Sequence, residues 1–172
     1  MANGLSGARL LLAVVLPYLL VRGGWPPVLA WIAASLSDYL DGPLARRRGT
    51  TSAGGAILDN VADIAFVLAG LSTAAALRLV SWLVPVSIAL SATAYAAASA
   101  RRSGSPGAGP RLARSRLGHW AGVANYACLG VAAGAMAWPS PAWTPLLAGA
   151  GATTAVLNLA AVAARLVVRR AA

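Results

Sequence analysis

Six runs of mostly apolar residues, near positions 5–22, 25–45, 52–77, 79–100, 117–138 and 143–168, fill most of this chain. A helix needs roughly 20 consecutive apolar residues to cross a bilayer, and each run is about that long. Hydrophobic residues make up 59% of the sequence and charged residues 10%, with a mean hydropathy of +0.70, far from the balance of a soluble globular domain. The expectation is an all-α integral membrane bundle of six transmembrane helices, a single domain over residues 1–172. Proline and glycine break the runs at "GGWPP", "GSPGAGP" and "WPSPAWTP", while only Arg78 divides the third from the fourth. Pro17 and Pro85 fall inside spans, where neighbouring helices can make good the lost backbone bond. The first run is read as a retained helix, because no clear small-residue cleavage site follows it.

The charge pattern orients the bundle. The net charge of +10 comes from fourteen basic residues, all arginine. A basic chain passes a crude filter for nucleic-acid binding, but these arginines cluster at the ends of apolar runs, where positive charge marks cytoplasmic loops and anionic headgroups. Nucleic acid is therefore not an expected partner; membrane lipid is. With a cytoplasmic N-terminus, that side receives Arg9, Arg46, Arg47, Arg48, Arg101, Arg102, Arg111, Arg114, Arg116, Arg165, Arg169 and Arg170, and the other side only Arg22 and Arg78. Twelve against two places both termini in the cytoplasm. Trp25, Trp82, Trp138 and Trp143 then lie near the outer interface, where amphipathic rings are favoured. The single cysteine, Cys128, excludes an intramolecular disulfide.

All the negative charge sits in "SDYLDGPLARRRGTTSAGGAILDNVAD": Asp38, Asp41, Asp59 and Asp63 are the only acidic residues. Spacings of three and four put each pair on one face of a helix, and the basic segment between them turns the chain so that the pairs can face each other. A carboxylate at membrane depth costs about 2.5–3.5 kcal/mol on insertion scales, and four together repel. Hard divalent cations held by oxygen ligands would offset both penalties, and paired cations are a usual device for activating a phosphoryl centre. The plainer alternative, helix caps or pairs with Arg46 to Arg48, accounts for one such aspartate better than for four. Gly42, Ala45, Gly54 and Gly55 are small residues beside the acids, suited to close approach of a bulky ligand or to tight helix packing. Arg46 is within reach of a phosphate oxygen.

The order Asp38, Asp41, Gly42, Ala45, Arg46, Gly55, Asp59, Asp63 fills every fixed position of D-x2-D-G-x2-A-R-x8-G-x3-D-x3-D, the signature of the CDP-alcohol phosphotransferases, which the chain resembles over these 26 residues and in its six-span plan. The opening "NGLSGAR" is similar to the family's usual start. The resemblance implies a multi-pass cell-membrane enzyme of phospholipid biosynthesis, a homodimer, with two magnesium or manganese ions and a site facing the cytoplasm. It would join a phosphatidyl group from CDP-diacylglycerol to an alcohol and release CMP. Carried over, Asp38, Asp41, Asp59 and Asp63 hold the metals, and Asp63 also accepts the proton of the attacking hydroxyl. Gly42, Ala45, Arg46, Ser52, Gly55 and Asn3 form the donor-substrate site.

The loop "RRSGSPGAGPRLARSRLGHW" offers Arg111, Arg114 and Arg116 as the acceptor site, because guanidinium groups bind phosphate in a forked geometry; their alternative role is topology and anionic lipid. Glycerol 3-phosphate is the expected acceptor, with inositol phosphate next. One departure points to an uncharged alcohol: many members using a phosphorylated acceptor carry a basic residue after the last aspartate, where this chain has Ile64. His119 is left out of the site as an interfacial residue. The rival of another class is a divalent-cation transporter using the carboxylates as its ion path, which leaves the Gly42, Ala45, Arg46 and Gly55 spacing unexplained.

Overall fold

The structure, a computed structural model, describes the backbone of residues 2–48, 53–103 and 115–170 and the side chains of residues 6–37, 54–100 and 115–167. The described residues form six helices, in order α1 (Ala2–Arg22), α2 (Pro26–Arg48), α3 (Ala53–Ala76), α4 (Leu83–Ser103), α5 (Arg116–Ala137) and α6 (Trp143–Arg170). They follow the six apolar runs within a few residues. Among the described residues, α3 to α6 each hold a stretch long and apolar enough to cross a membrane, and the apolar part of α2, Pro26–Ser37, is shorter.

Helix α1 packs chiefly on α3, α6 on both α5 and α4, and α2 on α1 and α5. Leu16, Leu20, Phe66, Leu71 and Leu129 are fully buried along these seams, with Ala34, Ala74, Ala132 and Ala133 between them. Small residues let helices approach closely, which matters in a bilayer because burying a leucine against protein gains little over burying it in lipid. The same logic leaves Leu11, Val14 and Val156 exposed at 64–78%, which in a membrane bundle is a lipid-facing surface.

The connections are tight. Between α1 and α2, Gly23 and Gly24 adopt φ of 72° and 75°, a region that glycine enters without strain, and the Gly24 N–H donates to the Met136 carbonyl at 3.0 Å. Trp25 then meets Trp138 edge-on at 4.0 Å between centroids. Helix α3 ends with the Arg78 N–H on Ala75 O at 3.0 Å and the Leu79 N–H on Ala74 O at 2.9 Å, the paired closure of a Schellman end. Arg78 takes the left-handed position with φ 60°. The sequence divides the third and fourth runs at Arg78 alone, yet α4 begins only at Leu83: reversing the chain needs the whole turn, and the Ser81 hydroxyl accepts the Leu83 N–H at 3.2 Å to start the next helix.

One close contact supports the site from below. The Trp31 indole of α2 donates to the Tyr126 carbonyl of α5 at 2.9 Å, and its ring lies over Gly130, where a Cβ would fall 2.7 Å from Trp31 Cζ2. A ring pinned by its own hydrogen bond cannot move aside cheaply. Gly130→Ala is therefore expected to destabilise the protein by about 1–3 kcal/mol, read as a lower midpoint of thermal unfolding in detergent; an unchanged midpoint would reveal slack between α2 and α5.

Candidate active site

Asp59 and Asp63 lie one turn apart on α3, about 9 and 15 Å along the helix from its first residue at 1.5 Å per residue. Arg9 lies at matching depth on α1, and the tight α1–α3 packing brings them together. Its Nη1 donates to Asp59 Oδ1 at 3.0 Å and also to Asp63 Oδ1. Its Nη2 donates to the Ser37 hydroxyl of α2 at 3.0 Å. The Ser6 hydroxyl, one turn before Arg9, donates to Asp59 Oδ1 at 3.3 Å, and the Tyr126 hydroxyl of α5 donates to Asp63 Oδ1 at 3.0 Å. The arginine side chain is fully buried, whereas the carboxylates retain 36% and 27% exposure. Burying a charge unpaired is costly, so these ion pairs are what allow Arg9 to sit inside the bundle.

The exposed side of the two carboxylates opens into a cavity of about 1330 Å³. Ile64 and Asn60 line it beside the aspartates, Arg116 and His119 at the start of α5, and Arg165 on α6. The Arg165 Nη1 lies 3.3 Å from the Ser91 hydroxyl and 3.4 Å from its carbonyl, and its Cζ is 5.6 Å from the Tyr95 ring centre. Across from it, Ser115 caps α5 by accepting the Gly118 N–H at 3.0 Å. A Cβ on Gly118 would come 2.9 Å from Arg165 Nη2, so this glycine makes room for the guanidinium. Between α5 and α6, Asn158 donates to Asn125 Oδ1 at 2.7 Å, holding the far wall.

Of the residues expected from sequence, Asp59 and Asp63 are brought together, Gly55 stands one turn ahead of them on α3, and Arg116 lines the same cavity. Asp38, Asp41, Gly42, Ala45 and Arg46 fall in the last turns of α2 and Asn3 in the first turn of α1, with side chains outside the described residues. Ser52, Arg111 and Arg114 lie outside the described residues. His119 lines the cavity, its ring 5.7 Å from that of Trp120. The sequence counts Arg9 and Arg165 with the interfacial arginines. The structure adds their packing: Arg9 is buried against Asp59 and Asp63, and Arg165 is half-buried and lines the cavity. Tyr126, inside an apolar run, gave no sequence signal of its contact with Asp63.

Among the described side chains no three metal-ligating groups cluster, since these include only one of the two aspartate pairs. The donor set nevertheless suits a hard cation. Among the described residues the hydrogen bonds received by Asp59 fall on Oδ1, and carboxylate oxygens are the ligands that Mg2+ and Mn2+ prefer. Residues 1–167 match the family described as CDP-alcohol phosphatidyltransferase, and this decides between a transferase and a cation transporter. With nearly the whole length matched and Asp59 and Asp63 of the motif lining one cavity, the chain belongs to the CDP-alcohol phosphatidyltransferase family, membrane enzymes, generally metal-dependent, that transfer a phosphatidyl group from a CDP-linked donor to an alcohol.

Proposed function

We propose that this enzyme transfers the phosphatidyl group of CDP-diacylglycerol to a small phosphorylated polyol, glycerol 3-phosphate, and releases CMP. The observation that carries the acceptor assignment is the cavity itself: carboxylates Asp59 and Asp63 on one wall, guanidinium groups of Arg165 and Arg116 on another. Ile64 lines the same cavity without a charge, so the cation that many relatives place after the last aspartate is here supplied from α5 and α6. An arginine presents a rigid fork of donors that matches a phosphate.

Asp38, Asp41, Asp59 and Asp63 are assigned to two divalent cations, which when bound neutralise the diphosphate and stabilise the departing CMP. Asp63 takes the proton of the attacking hydroxyl as its oxygen bonds to phosphorus and the bond from phosphorus to CMP breaks. Arg46, Ser52, Gly42, Ala45, Gly55 and Asn3 are assigned to the cytidine diphosphate. The site is assigned to the cytoplasmic face: even without Arg9 and Arg165, which are drawn inward, ten of the twelve arginines remain on that side against two opposite.

The test offers purified protein and CDP-diacylglycerol a panel of glycerol 3-phosphate, inositol phosphate, glycerol and inositol, and identifies the lipid formed. Phosphorylated acceptors are expected to be preferred over their free alcohols by about 100-fold in kcat/KM, since each charge-assisted hydrogen bond from Arg165 or Arg116 to the phosphate is lost with a free alcohol. Equal turnover of free inositol would remove the acceptor assignment and leave the donor chemistry standing.

A further inference from the structure

Arg9 touches both aspartate-bearing helices at once. One nitrogen of its guanidinium reaches Asp59 and Asp63 on α3, and another reaches Ser37 on α2, the residue immediately before Asp38. Ser37 is itself fixed, because its hydroxyl donates to the Ala34 carbonyl at 2.8 Å and so turns a lone pair to Arg9. We propose that Arg9 is a positioning residue of the metal site, a rigid strut that sets the separation of the two aspartate pairs before any metal arrives. The inference rests on the reading that the four aspartates hold divalent cations.

Three features favour a strut over simple charge compensation. The planar guanidinium is pre-organised, so one side chain can bridge α1, α2 and α3 with little further loss of freedom. It binds Asp59 on Oδ1, holding the carboxylate by that oxygen. It is also completely buried, shut off from the solvent screening that would loosen an exposed pair. Ser6 and Tyr126 bind the same two Oδ1 atoms from α1 and α5, so each carboxylate is oriented by a cation and a hydroxyl together. Outer groups that orient metal ligands in this way typically change metal affinity about 10- to 100-fold when removed.

The sign of the effect separates the possibilities. A guanidinium beside two carboxylates repels a divalent cation, so Coulomb's law alone predicts that removing it tightens metal binding. A strut predicts the opposite. The experiment is a Mn2+ titration of the full chain in detergent, read by the electron paramagnetic resonance signal of free Mn2+, without substrate. Arg9→Gln is expected to bind Mn2+ about 10- to 100-fold more weakly than the unsubstituted chain, and Arg9→Lys to recover only part of the loss, because an ammonium cannot span three partners in a fixed plane. Ser37→Ala keeps every charge and removes only the tether to α2. It is expected to weaken binding about tenfold, and it carries the test should Arg9→Gln not fold. Unchanged or tighter Mn2+ binding in folded Arg9→Gln, or unchanged binding in Ser37→Ala, would overturn the inference alone. Failure of the unsubstituted chain to bind Mn2+ would overturn the metal reading and the inference with it.

Discussion

Asp63→Asn is expected to lower CMP release about 10²- to 10⁴-fold, the range typical of losing a general base, while the chain remains folded and membrane-inserted. The reason for the loss is that an amide can neither take the hydroxyl proton nor bind a cation as an anion does. The reason for survival is local. Asparagine keeps an acceptor oxygen for the Tyr126 hydroxyl and for Arg9, and Arg9 keeps its ion pair with Asp59. Removing one partner of a buried ion pair can cost about 3–5 kcal/mol, but Asp63 is 27% exposed and Arg9 retains a second carboxylate, so the cost here falls below that range. The measurement is single-turnover CMP release with saturating CDP-diacylglycerol, beside a thermal melt of the same preparation. Turnover within tenfold of the unsubstituted enzyme would remove Asp63 as the base.

The contrast between Asp63 and Arg9 marks what could be read in one dimension. Six apolar runs and four acids in a polar-poor chain are strong signals, because lipid leaves few ways to satisfy a backbone or a carboxylate. Helix pairing is a weak signal here, since lipid-facing and core-facing positions are equally apolar: Val14 is exposed and Leu16 buried, two residues apart on α1. Without the α1–α3 pairing, Arg9 reads as an interfacial charge near a helix start. A hint existed in "NGLSGAR", where Ser6 and Arg9 share a helix face, and four acids at depth require cations from somewhere. Arg165 was hidden for the same reason, a terminal arginine by position and a cavity residue by packing. The α3–α4 turn was obscured because Leu77, Leu79 and Val80 keep the sequence apolar through the reversal at Arg78.

Arg165→Ala is expected to raise the KM for glycerol 3-phosphate about 10- to 100-fold with little change in the KM for CDP-diacylglycerol. Its guanidinium is only loosely engaged: the contacts of Nη1 to Ser91 are 3.3 and 3.4 Å, long for hydrogen bonds. Donors held this way are available to an anion. A charge-assisted hydrogen bond is worth about 1.5–3 kcal/mol, and each 1.4 kcal/mol is a factor of ten, which gives the expected range. Arg116, exposed at the start of α5, should contribute less and lose its effect sooner as salt is raised, because an exposed charge is screened and a half-buried one much less so. Gly118→Ala supplies an independent check that leaves both arginines in place: its Cβ would stand 2.9 Å from Arg165 Nη2, displacing the guanidinium and reproducing part of the KM effect. If Arg165→Ala, Arg116→Ala and Gly118→Ala all turn over glycerol 3-phosphate with unaltered KM, the α5–α6 wall does not hold the acceptor, and the neutral Ile64 wall becomes the place to look for an uncharged alcohol.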